Sequence, residues 1–159
     1  MKRALLMTAA LLSLVMPSGH AVACASIIPA DIRADETDQQ RINRGLKDRQ
    51  DELRRRADSV FVAQVSAARM TDAIEADFTL TPVFALYDSL LPDDAVTRRG
   101  SLTPTCEVPM NLGQFLVVYA ERSDTGWRTL DVVAIERLQN APADFRVRIR
   151  GYAHGLTRP

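Results

Sequence analysis

The chain has 159 residues, with 20 basic and 20 acidic side chains and a formal net charge of zero. This balance gives no overall positive field, so the composition argues against a nucleic-acid partner. The length fits one domain built on a single core. Only two cysteines and two histidines are present, which limits the metal sites and nucleophile–base pairs that the chain can build.

The stretch 1–23 has the layout of a secretory signal peptide. Two basic residues start it, an apolar run follows, and Ala21 and Ala23 form an A-x-A cleavage motif directly before Cys24. The run is shorter than the roughly 20 apolar residues that a membrane span needs, so cleavage is favoured over an anchor. The predicted product is a single domain over 24–159, exported to the periplasm or the extracellular space, with no membrane span.

Processing of bacterial lipoproteins also cuts directly before a cysteine and then acylates it. Under this alternative Cys24 carries a lipid, and the protein is an anchored envelope lipoprotein with a binding or structural role. That pathway prefers a leucine-like residue where this chain has Ala21, and both outcomes stay open. If Cys24 is not acylated, the two cysteines of an exported chain, Cys24 and Cys106, favour a disulfide over metal ligation or redox catalysis.

The mature region opens with a predicted helix of about five turns. Thr37 and Gln40 form a capping-box pattern at its start. The apolar residues that follow at helical spacing are Ile42, Leu46, Leu53 and Ala57. Three arginines at 54–56 suit the negative end of the helix dipole, and a solvated face is favoured there over a partner site.

From Ser59 the apolar period changes to an alternation of two, which predicts strands. The predicted strands cover 59–67, 76–87, 95–103, 114–120 and 127–135. One face of the second strand is expected to carry Phe78, Leu80, Phe84 and Leu86. Proline cannot donate to a strand ladder, so a bend, a bulge or a sheet edge is expected at Pro82. The run 114–120 is apolar on both faces, which is typical of a strand covered on both sides.

A hairpin turn is predicted at 123–126, where Gly126 supplies the positive φ that such turns need. The tail over 141–149 fits either a short helix opening at Pro142 or an alternating strand, and the helix is favoured. Five strands with Gly and Pro at the corners predict a mainly β fold. We expect a five-stranded antiparallel barrel with one long N-terminal helix and a short C-terminal helix.

Few side chains support catalysis. Once the signal peptide is removed, His154 is the only histidine, and a lone histidine near the chain end is most often a surface residue. Asp93 and Asp94 form a carboxylate pair, but loop neighbours point apart, so a solvated turn is favoured over acid–base work. Asp131 and Glu136 are explained as residues of an exposed strand edge. We predict no enzyme activity, no cofactor and no intrinsic metal, with carboxylate-only catalysis as the alternative.

A groove for an oligosaccharide or a nucleic acid is a further alternative for such a barrel. It would place exposed aromatic rings beside arginines, and its candidates are Trp127 and Tyr152 with Arg128 and Arg150. Aromatic residues make up only 6% of the chain, so core packing and hairpin support are favoured for both rings.

The mature chain combines, in order, a terminal cysteine, a helix, two strands, a threonine–cysteine turn, a glycine and an apolar strand. The segments that carry this order are Cys24, the strands 59–65 and 78–87, Thr105-Cys106, Gly113 and the "YLVYA"-like run 115–120. The order resembles the netrin-like module, whose members include the tissue inhibitors of metalloproteinases. The resemblance covers about 24–135.

This resemblance implies an OB-like barrel in which the first cysteine bonds to the cysteine ahead of the fourth strand, here Cys24 with Cys106. It also implies a non-enzymatic binding domain whose partner is a protein, with an extracytoplasmic metalloprotease as the candidate. In the inhibitors, the α-amino nitrogen and carbonyl oxygen of the first cysteine chelate the catalytic zinc of the protease. Cys24 would take that role, and Ala25 and Ser26 would contact the protease pocket. The inhibitors read Cys-x-Cys and carry further disulfides, whereas the third residue here is Ser26.

Overall fold

The structure is a computed structural model that describes residue 31, residues 33–102 and residues 108–155. Within these residues the helices and strands are α1 (Asp38–Arg56), β1 (Ser59–Met70), β2 (Glu75–Ala85), β3 (Val96–Ser101), β4 (Phe115–Ser123), β5 (Gly126–Ala134) and α2 (Phe145–Ala153). A short 3₁₀ helix (Ile135–Arg137) follows β5. The predicted mainly β fold with a long first helix and a short last helix is confirmed. The helix is the correct alternative for the tail, although it begins at Phe145 and not at Pro142.

Helix α1 begins at the predicted capping box. Thr37 Oγ1 accepts a hydrogen bond from the Gln40 backbone N–H at 3.3 Å, and Gln40 Oε1 accepts one from the Thr37 N–H at 2.8 Å. Asp38 in the first turn and the three arginines in the last turn complement the helix dipole. These contacts satisfy N–H groups that have no partner within the helix, so they fix the residue at which α1 starts.

The five strands form one antiparallel sheet in the order β3-β2-β1-β4-β5. The sheet curls until its two edge strands, β3 and β5, contact each other, which gives a nearly closed barrel. This order and curvature are consistent with an OB-like barrel. The hairpin between β4 and β5 turns as predicted, with Gly126 at φ 121°.

The sheet has two buried faces. Inside the barrel lies a cluster that includes Phe61, Val65, Phe78, Leu80, Leu116 and Val118. On the outer face a second cluster, including Leu53, Val62, Phe84, Val117, Tyr119 and Phe145, packs the helices against the sheet. Strand β4 serves both clusters, and its residues 116–120 are each at most 1% exposed. The prediction of a strand covered on both sides is confirmed.

The predicted face of β2 is wrong beyond Pro82. Phe78 and Leu80 lie inside the barrel, whereas Phe84 and Leu86 lie in the outer cluster. The cause is a bulge, because Ala63 pairs with Pro82 while the adjacent Val62 pairs with Phe84 and skips one residue of β2. One extra residue reverses the alternation of faces. Of the three outcomes expected at Pro82, the structure has the bulge.

A buried glutamine joins α1 to the chain after β5. Gln50 is 4% exposed, and its side-chain amide donates to the Arg137 carbonyl at 2.8 Å. Its Oε1 accepts a hydrogen bond from the Gln139 N–H, also at 2.8 Å. Both ends of the amide are therefore paired, as burial requires. These bonds fix α1 against the outer face of the barrel.

Candidate functional site

The predicted chelating terminus lies outside the described residues. Cys24, Ala25, Ser26 and Cys106 all belong to the parts of the chain that the structure does not describe, and so does the disulfide predicted between the cysteines. The chain leads to them from two described segments. One is the arm, which we define as residue 31 and residues 33–36, directly before α1. The other is the return to the barrel after Cys106, where Val108 packs against the interior cluster.

The arm is held against α1 by one guanidinium. Arg44 donates to both carboxylate oxygens of Glu36, from Nε at 2.9 Å and from Nη2 at 2.7 Å. Its Nη1 donates to Asp31 Oδ1 at 3.0 Å, and its Nη2 donates to the Asp31 carbonyl oxygen at 3.1 Å. The side chains of Arg44 and Glu36 are 16% and 10% exposed. Charge-assisted, bidentate bonds of this kind are strong and directional, so the arm has a fixed course along the helix.

We call these bonds from Arg44 to Asp31 and Glu36 the clamp. The clamp was not predicted from the sequence. Glu36 lies eight residues from Arg44 and Asp31 lies thirteen residues away, so no helical spacing of three or four links them. The available signal was three acidic residues ahead of a capping box, of which only Asp31 and Glu36 pair with Arg44. That signal indicates a favourable helix N-terminus but does not identify an arginine two turns into the helix as their partner.

The clamp is expected to weaken in acid. Hydrogen bonds from Arg44 hold the pKa of Asp31 and of Glu36 below their ordinary values of 3.8 and 4.5. Depressed carboxylate pKa values mean that the stabilisation is fully present above the ordinary values and is lost as the pH falls through the lower folded values. We therefore expect the difference in unfolding free energy between the wild type and Arg44→Gln to be larger at about pH 7 than at about pH 3.

Denaturant unfolding at both pH values measures this difference. Arg41→Gln is the matched control, because Arg41 lies on the same helix and pairs with Asp38, three residues away. The loss of unfolding free energy caused by Arg41→Gln should change less between about pH 7 and about pH 3 than the loss caused by Arg44→Gln. A gap between the wild type and Arg44→Gln that is the same at both pH values would contradict the role of the two carboxylates.

The residues considered for catalysis are dispersed and exposed. Asp93 and Asp94 lie in a bend of the loop before β3, and His154 follows α2 at the surface. Within the described residues, neither aspartate has a hydrogen-bond partner among protein groups. No group of three His, Cys, Asp or Glu side chains in that part of the chain could hold a metal ion. The described residues therefore bring no acid–base pair together around these three side chains.

Asp131 is not the exposed edge residue that was expected. Its side chain is only 15% exposed, and its Oδ2 accepts from Arg49 Nη2 of α1 at 2.6 Å. Its Oδ1 lies 3.4 Å from Arg98 Nη2 of β3 and accepts from the Val132 N–H at 2.9 Å. The interpretation was wrong because β5 is an edge only in its backbone pairing, while side chains from α1 and β3 cover it. Asp131 links the two edges of the sheet.

A cleft of about 620 Å³ opens between the end of α1, the end of β2 and α2. Two guanidinium carbons lie over aromatic rings there, Arg54 Cζ at 4.9 Å from the Tyr87 centroid and Arg148 Cζ at 3.9 Å from the Phe84 centroid. The Tyr87 hydroxyl donates to the Asn140 carbonyl at 3.2 Å, and burial raises the pKa of this tyrosine. These contacts join the two helices to the end of β2.

Residues with strained backbone conformations lie in the same cleft. Tyr87, Asp88 and Asn140 have φ values of 53°, 57° and 55°, and they are the three residues other than glycine with positive φ in the described chain. Such conformations cost about 1–3 kcal/mol each and persist where the surroundings enforce them. The lining holds Asp88 and Asp144 as well as two arginines, so it does not favour ligands of one charge.

The two aromatics considered for a ligand groove pack in different places. The Tyr152 ring stacks on Phe84 in the outer cluster, with centroids 5.3 Å apart. Trp127 packs against the interior cluster beside the β4–β5 hairpin, with Arg122 5.8 Å from its ring centroid. Both rings pack against a core cluster, and they do not form a common groove with each other.

The described part of the molecule defines the class to which the chain is assigned: mainly β proteins built on a nearly closed, OB-like antiparallel barrel. Searches for a matching protein-family model, a similar curated protein and a similar solved structure found no match. Across the residues that the structure describes, no helix combines the length and apolar character needed to cross a membrane.

Proposed function

We propose that the chain is an exported, non-enzymatic binding domain that engages a protein partner through its mature N-terminus. The partner class that we propose is an extracytoplasmic zinc protease. Its catalytic metal would be chelated by the α-amino nitrogen and carbonyl oxygen of Cys24. Under this proposal the domain has no catalytic residues and requires neither a cofactor nor a metal of its own.

The observation that best supports this proposal is the clamp on the arm. Arg44 fixes the backbone at Asp31 and the side chain of Glu36 against α1, which is itself packed on the barrel. A segment that is already ordered at one end loses less conformational freedom when it binds. Under this proposal, the clamp would hold the chain only seven residues after Cys24.

The chemistry of the terminus supports the choice of a zinc protease. Catalytic zinc sites have three protein ligands and keep one position open, which an amine and a carbonyl oxygen can occupy. A disulfide from Cys24 to Cys106 would hold that amine on the turn that precedes β4. Ala25 and Ser26 would then enter the protease pocket. Zinc chelation by Cys24 is supported by the resemblance in residue order. Ser26 departs from that resemblance, because the inhibitors have a second cysteine at this position.

The alternative is acylation of Cys24. A thioether at this sulfur excludes a disulfide to Cys106, and N-acylation would remove the free amine. The protein would then be a lipid-anchored envelope protein whose barrel serves binding or structure. The two proposals differ in the covalent state of a single residue, so they can be separated chemically.

The protein-binding proposal is tested by weakening the clamp. We expect Arg44→Gln to raise the inhibition constant for a secreted zinc protease of the His-Glu-x-x-His type by about threefold to tenfold, because the arm then has to be ordered on binding. Cleavage of a fluorogenic peptide provides the readout. Arg41→Gln, on the same helix, should leave inhibition unchanged. Equal inhibition by the wild type and Arg44→Gln, or a wild type that inhibits no such protease, would contradict the proposal.

A further inference from the structure

A second cavity, of about 390 Å³, opens along the seam between β3 and β5, and we call it the seam cleft. Its lining contains Arg98, Arg99 and Arg128, together with Trp127 and four hydroxyl-bearing side chains. None of the described residues that line it is acidic. Because β3 and β5 are the two edges of the sheet, no ladder of strand hydrogen bonds fills the seam. The cleft therefore presents guanidinium and hydroxyl donors with no carboxylate among the lining side chains.

The carboxylates that pair with these arginines leave part of each guanidinium unused. The pairs are Arg98–Asp131, Arg99–Asp77 and Arg128–Glu121. In each pair the arginine Nη1 makes no hydrogen bond within the described part of the chain. Arg98 Nε and Thr129 Oγ1 are in addition buried without a hydrogen-bond partner there. Both atoms are shielded from solvent, so the donors that a ligand in the cleft can reach are those of the exposed guanidiniums, Arg99 and Arg128.

We propose that the seam cleft binds an oxyanion, a phosphate or sulfate group carried by a small ligand. Planar guanidinium groups donate in pairs to such oxygens. The side chains of Arg99 and Arg128 are 63% and 67% exposed, so both can turn toward a ligand without disturbing the core. This site uses neither the mature terminus nor a protease, and the inference does not rest on the proposed function.

The test uses the only tryptophan of the chain, Trp127, which lines the cleft. Titration of the full mature protein with inorganic phosphate at constant ionic strength should change its fluorescence in a saturable manner. We expect Arg99→Gln and Arg128→Gln each to weaken this binding by about tenfold. The matched control is Arg55→Gln, since Arg55 is 68% exposed and also pairs with a carboxylate, but lies on α1.

Two further ligands identify the source of the oxyanion. Glucose 6-phosphate represents a soluble phosphate ester, and co-sedimentation with phosphatidylglycerol vesicles represents a lipid head group. Arginine-dependent binding to either supports the site and names its source. Absence of saturable phosphate binding, or equal weakening by Arg55→Gln, would overturn the proposal. A chemical-shift change at the Trp127 indole N–H in the wild-type protein is required as well, and its absence would also overturn it.

Discussion

Addition of one alanine before Cys24 is expected to weaken inhibition of a zinc protease by at least about 100-fold, or about 2.7 kcal/mol. The extra residue converts the α-amine of Cys24 into a peptide nitrogen, which is a poor metal ligand. It also moves the new amine beyond the position that a disulfide would fix. The chelate proposed for Cys24 needs its amine and its carbonyl oxygen together, so it is lost with the amine, and this is the largest functional effect that we expect.

The measurement compares inhibition constants for the native and extended proteins on the same protease. A protein extended by one alanine after Pro159 is the control, because it adds the same residue at the other end of the chain. This control should inhibit as well as the native protein. Equal inhibition by the native and N-terminally extended forms would eliminate chelation, while a protein partner that binds elsewhere would still be allowed.

Replacement of Leu116 by alanine is expected to lower the free energy of unfolding by about 2–5 kcal/mol. Leu116 is fully buried inside the barrel, where β4 pairs with Ala63 of β1 and Ala134 of β5. Small residues on both neighbouring strands leave its side chain to fill that part of the core. Truncation would remove apolar contacts and open a cavity at the centre of the sheet.

Leu112→Ala provides a matched comparison for this substitution. Leu112 lies four residues earlier, in the approach to β4, and is 66% exposed. Its truncation should change stability by no more than about 0.5 kcal/mol. Urea unfolding of the two variants gives both values. Similar losses at the two positions would contradict the burial of Leu116 inside a packed barrel.

Local patterns were sufficient to predict most of the elements. The capping box at Thr37 and Gln40 depends on residues three apart, and the turn at Gly126 depends on one backbone angle. The double burial of β4 followed from an uninterrupted apolar run. These features are encoded within one helical turn, one hairpin or one strand, so neighbouring residues determine them.

Features that depend on distant residues were not predictable in the same way. The change of face in β2 requires the register against β1, which the alternation around Pro82 does not reveal. The charge of Asp131 gave no indication of Arg49, which lies 82 residues earlier. Gln50 bonds to a carbonyl and an N–H that lie 87 and 89 residues away, and no local pattern in the sequence indicates these partners. Tertiary packing creates these partnerships.

Some residues of the candidate site could be identified from the sequence and others could not. Cys24 and Cys106 could be singled out from the sequence because cysteines are rare and their positions relative to the export motif and to β4 are readable. Arg44 could not, because its partners precede the helix and are recruited by the fold of the arm. The arginines of the seam cleft come from separate strands, β3 and β5, that meet only when the barrel curls.

The covalent state of Cys24 in the mature protein decides whether the proposed chelating terminus exists. Mass spectrometry of the intact chain and non-reducing peptide mapping should find Cys24 as the first residue, with a free α-amine and its sulfur bonded to Cys106. A diacylglyceryl group on Cys24, or two free thiols, would contradict the proposed chelating terminus.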